Sequence, residues 1–115
     1  MKPIVVRGNL VPTLMSVFIR ASAVTIWPFI FIRTDVKDET RILQHEKIHI
    51  AQYQELWVLP FLFVYLWDFL VGLYKYKNAR KAYQRIRFEQ EAYGNDRNSV
   101  YLRARKPFRW RNYRV

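Results

Sequence analysis

No cysteine occurs in the 115 residues. A disulfide framework and a thiolate metal site are therefore excluded, and any metal held here must take imidazole and carboxylate donors. Histidine is nearly as scarce, with only His45 and His49. Acidic side chains are few, nine against twenty Lys and Arg, and the formal net charge is +11. The imbalance is local: residues 1–74 carry a net +1, and residues 75–115 carry +10. Met1 to Arg7 has one early Lys but no sustained apolar stretch and no small-residue cleavage pattern. No export signal is read there, and the chain is expected in the cytoplasm, peripheral at a membrane rather than integral to it.

What is present is dense in apolar and aromatic side chains, 51% and 17% of the chain. That suits one small domain with a modest, ring-rich core and leaves no room for a second. The two histidines stand four residues apart in His45-Glu46-Lys47-Ile48-His49. On a helix this spacing puts both imidazoles on one face, one turn apart, where they can share a metal ion with Glu46 beside them. A chain of this composition meets the pattern by chance on the order of once in a thousand shufflings, so it is informative but needs a helix and a third donor.

Both are sought along the chain. Leu10 to Arg33 is apolar, punctuated by Pro12, Arg20 and Pro28, and rich in Val, Ile, Thr, Phe and Trp, which favours strands. Ala23 to Arg33 reads as one extended segment that Pro28 confines to an edge or a bulge. Asp35, Asp38 and Glu39 form the acidic cluster of a helix start, capped by Asp38 or Thr34. From Asp38 to about Trp57 there is no Gly or Pro, and Ile42, His45, His49 and Gln52 fall on one stripe. Leu56 to Tyr74 is apolar except for Pro60 and Asp68 and has the length of a bilayer span, followed by Lys75, Lys77, Arg80 and Lys81. Ala79 to Tyr93 has a helical pattern that ends at Gly94-Asn95. At about 1.5 Å per residue, a helix over 60–76 and another running back to 91 have matched lengths, so a hairpin returns Glu89 and Glu91 to the level of the histidines. A lone membrane crossing would prevent that meeting, because the returning helix carries Lys81, Arg85 and Arg87 at about 2.5 to 3.5 kcal/mol each.

His45-Glu46-Lys47-Ile48-His49 together with Phe88-Glu89-Gln90-Glu91-Ala92-Tyr93 resembles the H-E-x-x-H and E-x-E-A elements of gluzincin metallopeptidases, notably membrane-associated families. It also resembles short bacterial and phage proteins that carry the same two blocks. The resemblance implies that His45, His49 and Glu91 are zinc ligands and that Glu46 is the base that activates water. Glu89 is the alternative third ligand, its bland role being a solvated partner of Arg85 or Arg87. Tyr93 stands where the membrane families have aspartate, and Tyr93, Tyr53 and Arg33 are the candidates for stabilising an oxyanion.

The expected fold class is therefore mainly α with a small N-terminal β element (α+β), a minimal zincin-like core with a helical hairpin over 1–96 and a basic aromatic arm over 97–115. The expected function is zinc-dependent hydrolysis of a peptide or protein substrate. The arm interleaves Arg103, Arg105, Lys106, Arg109, Arg111 and Arg114 with Tyr101, Phe108, Trp110 and Tyr113. Such a segment suits an anionic membrane surface and, less well, nucleic acid, so a non-enzymatic basic adaptor is the alternative function. The duller expectation is an extended arm with its rings on the domain and its charges in water.

Overall fold

The computed structural model describes residues 3–15 and 23–115. Its elements run β1 (Ile4–Arg7), α1 (Leu10–Met15), β2 (Ala23–Ile26), β3 (Phe29–Ile32), α2 (Glu39–Leu56), α3 (Val58–Tyr76), α4 (Ala79–Gln84), α5 (Arg87–Asn95) and α6 (Tyr101–Ala104), followed by a 3₁₀ turn at Arg109–Asn112. The chain is mainly helical with one small N-terminal sheet, an α+β arrangement.

The sheet has the order β1-β3-β2, with β1 parallel and β2 antiparallel to β3. The single extended segment expected from Ala23 to Arg33 is thus a hairpin. The chain reverses at Trp27-Pro28, where the peptide bond is cis, and Ala23 pairs back onto Ile32. Pro28 sits between the strands, where no ladder hydrogen bond is needed from it. Leu10 to Met15 is helical, not a strand; the expectation for residues 16–22 falls outside the described residues.

Helix α2 starts as its acidic cluster predicts. The Asp38 side chain caps it by accepting from the Arg41 N–H at 3.4 Å. It ends at Trp57, whose φ of 67° turns the chain directly into α3. Pro60 falls in the first turn of α3, where its missing N–H leaves no intrahelical bond unmade. On the other side of α3, a Cβ on Gly72 would lie 2.9 Å from the Cα and Cβ of Ala82. The close approach of α3 and α4 requires glycine there.

The helix expected over Ala79 to Tyr93 is broken. Asp68, buried on α3, accepts from the backbone N–H of Arg87 at 3.1 Å and from its guanidinium at 2.9 Å twice. The carboxylate takes the N–H that an unbroken helix would have bonded to Tyr83, and Ile86 becomes extended with ψ 129°. Two helices result, and the break sets the phase of α5. The core joins Tyr53, Phe61, Ile86, Phe88 and Trp110. Phe61 stacks on Tyr53 at 3.7 Å and on Phe88 at 4.4 Å between centroids, tying α2, α3 and α5 together. Trp110 brings the arm onto the same cluster through Phe88 at 4.8 Å.

Candidate metal centre

The carboxylates of α5 lie two residues apart, so their side chains diverge by roughly 200° around the helix axis. Only one of them reaches the two histidines, and it is Glu89. Glu89 Oε1 lies 3.0 Å from His45 Nε2 and 3.1 Å from His49 Nε2. Its other oxygen, Oε2, accepts from the Tyr65 hydroxyl of α3 at 2.7 Å. All three residues of the cluster are buried, and their ligand atoms lie within 4.8 Å of one another.

The far nitrogens of both rings are also held. His45 Nδ1 faces Asp96 Oδ2 at 3.1 Å, and His49 Nδ1 faces Gln52 Oε1 at 2.8 Å. The Gln52 amide orientation is fixed from behind, because its NH₂ donates to Glu91 Oε1 at 3.0 Å and to the Phe88 carbonyl at 3.1 Å. Its oxygen therefore accepts from His49 Nδ1–H, which leaves Nε2 with a lone pair in the neutral ring. The Asp96 carboxyl beside His45 Nδ1 favours the same tautomer on His45. Two Nε2 lone pairs and a carboxylate oxygen then converge, an arrangement that requires a cation among them, either protons or a metal ion.

The donor set fits a metal. Ligand atoms at roughly 2.0–2.1 Å from a tetrahedral zinc stand about 3.3 Å apart, close to the 3.0 and 3.1 Å between Glu89 and the two histidines. This His45, His49, Glu89 group could hold a metal ion. In the metal-free chain protons fill the role. Burial opposes a charge on His49, but the Glu89 carboxylate more than offsets it, and the imidazole pKa is pushed up to about 9. Burial likewise opposes the charge on Glu89, yet the two histidines hold its carboxyl well below the usual carboxylate range.

Glu91, the ligand carried over by resemblance, is placed elsewhere. Its buried carboxylate accepts from Gln52, from the Tyr101 hydroxyl at 2.7 Å, and from the Arg105 guanidinium. Arg105 in turn forms a salt bridge to Glu55 at 2.9 Å. The third donor facing the histidines is Glu89, and Glu91 supports the Gln52 amide behind His49. The arm accordingly does not keep all its charge in water: the Arg105 side chain is 6% exposed, while Arg103, Lys106, Arg109, Arg111 and Arg114 are exposed.

Glu46 lies on the same helix, buried, and its Oε2 accepts a short bond from the Thr25 hydroxyl of β2. Its charge adds to the upward pull on His49, so it stands within electrostatic reach of that ring. Of the oxyanion candidates, Arg33 is engaged with Asp35 at 2.9 Å and the Tyr53 hydroxyl donates to the Thr25 carbonyl at 3.0 Å. Tyr93, 48% exposed, covers His45 with ring centroids 4.3 Å apart. Beside Tyr53, at the corner between α2 and α3, opens an apolar groove of about 650 Å³ walled by Trp27, Tyr53, Trp57, Leu59 and Pro60.

Thr25, Tyr65 and Asp96 were not singled out from the sequence. Asp96 follows the Gly94-Asn95 helix end and could have been suspected as a partner of the histidines, whereas Thr25 and Tyr65 sit on separate elements with no local signal. The fold and site together define a small α+β domain built around a buried His-His-Glu cluster. No family model matches the chain, and no curated protein and no solved structure matches it.

Proposed function

We propose that the protein is a zinc-dependent hydrolase of peptide or amide bonds, with His45, His49 and Glu89 as zinc ligands and Glu46 as general base. The observation that supports this most is the convergence of both Nε2 atoms on one Glu89 oxygen while both Nδ1 atoms are tied to acceptors. Bound zinc supplies a water of lowered pKa and polarises the scissile carbonyl. Glu46, held by Thr25, accepts the water's proton and delivers it to the leaving nitrogen. The apolar groove beside Tyr53 takes a hydrophobic side chain of the substrate. Among the described residues β2 is an edge strand of the sheet, and the Tyr53 hydroxyl of α2 donates to its Thr25 carbonyl.

Metal content tests the reading. Protein purified without added metal and then dialysed should carry about one zinc per chain, and a His45→Ala, His49→Ala variant should carry none. Iron in place of zinc would overturn the hydrolase, since two histidines and a carboxylate also suit non-haem iron chemistry. No metal in the protein, and none taken up on titration, would overturn the site itself.

A pH dependence follows from His49. Below about pH 9 the metal-free imidazole carries a proton that zinc must displace. Apparent zinc affinity should therefore rise about tenfold per unit from pH 7 to 8.5 and level off above 9. Competition with a chromophoric chelator, buffered across that range, measures the slope. A flat profile would mean that zinc displaces no proton from His49.

A further inference from the structure

Helix α3 is packed on one side only. Phe61, Asp68 and Gly72 on its inward face are buried. Leu59, Leu62, Phe63, Leu66, Trp67 and Leu70 are 43% to 71% exposed. Their three and four residue steps place them on one outward stripe. Trp57 and Tyr74, still more exposed, stand at its two ends. From Val58 to Tyr74 the only charged side chain is Asp68, and it is turned inward onto Arg87. A continuous, uncharged apolar face of this length is not what a soluble monomer leaves in water.

Length and composition alone would let α3 cross a membrane. Its packing argues for another arrangement. A crossing would take Asp68, Arg87 and the closely packed α4, with Arg80 and Lys81, into the hydrocarbon with it. A second copy of the chain is a poor cover for the stripe, because each copy brings a net +11. The charge next to the stripe instead complements an anionic surface: Lys77, Arg80 and Lys81 are all exposed just beyond its C-terminal end. Trp and Tyr at the two ends are the side chains that settle at headgroup level.

We propose that α3 lies flat in the surface of an anionic lipid bilayer, with the stripe from Leu59 to Leu70 among the acyl chains and the basic cluster after Tyr76 on the headgroups. Trp57 and Leu59 belong both to the stripe's end and to the wall of the apolar groove, so the groove opens at the lipid surface. The docking does not depend on the metal, and it can be tested apart from any hydrolysis.

Flotation of the 115-residue protein with phosphatidylcholine vesicles, with and without a third of phosphatidylglycerol, is the experiment. Binding should be about tenfold stronger to the anionic vesicles. Phe63→Glu combined with Trp67→Glu replaces two exposed side chains, so it should keep the circular dichroism of the parent while lowering binding by more than about tenfold. Lys77→Glu with Arg80→Glu should remove most of the preference for the anionic vesicles. Four results would overturn the proposal: no binding to either vesicle, binding that the Phe63 and Trp67 pair does not change, resistance to alkaline extraction as a spanning helix would show, or a dimer in solution that the same pair dissociates.

Discussion

Glu46→Gln is expected to leave zinc content and folding unchanged and to lower hydrolysis of a peptide-library substrate by about 10²- to 10⁴-fold, the range that a positioned general base contributes. The substitution suits the site because glutamine has the same shape and its amide oxygen can still accept from the Thr25 hydroxyl. What it removes is the anionic acceptor for the water's proton. Loss of zinc together with activity would show Glu46 acting as a ligand or a structural residue. Retained activity with zinc bound would rule it out as the base. Thr25→Val separates positioning from proton transfer: it should reduce kcat less than Glu46→Gln does, and leave the zinc in place.

Glu89→Gln should cost far more metal than Glu91→Gln, although the two residues are neighbours in sequence. Glu89 faces both Nε2 atoms, so losing its charge removes a ligand, and zinc affinity should fall by well over the roughly 10- to 100-fold that an outer partner is worth. Glu91 acts one step behind, through Gln52 on His49, and its substitution belongs within that outer range. Glu91→Gln weakens a buried ion pair with Arg105 and should cost about 3 kcal/mol in denaturant unfolding, less whatever Glu55 retains. Equal zinc loss in both variants would mean that the two carboxylates share the metal.

The histidine helix was legible in the sequence because each of its signals is local: a capping aspartate, a run without Gly or Pro, and a stripe of Ile42, His45, His49 and Gln52 at three and four residue steps. The return of Glu89 to the level of α2 was expected from helix lengths, although the helix that was to carry it is broken into α4 and α5. Which carboxylate would face the histidines was not legible. That depends on the rotational phase of α5, and the phase is set where Asp68 takes the Arg87 N–H nineteen residues away in sequence. A pattern reading of Ala79 to Tyr93 has no access to that contact and runs one helix through it. The hairpin at Trp27-Pro28 was missed for a related reason, since a continuous apolar run does not reveal where a strand doubles back. In the arm, Arg103, Arg105 and Lys106 are equivalent as residue types, and only the buried position of Glu91 selects Arg105.

The support beneath His49 has a consequence for a shortened chain. Arg105 and Tyr101 hold Glu91, Glu91 holds the Gln52 amide, and that amide sets the tautomer of His49. Both histidines and Glu89 precede Arg105 in the chain. A chain that ends short of it has every metal donor but not the brace that aims one of them. If the site holds the proposed zinc, a chain truncated before Arg105 should lose it to a competing chelator more readily than the 115-residue chain does.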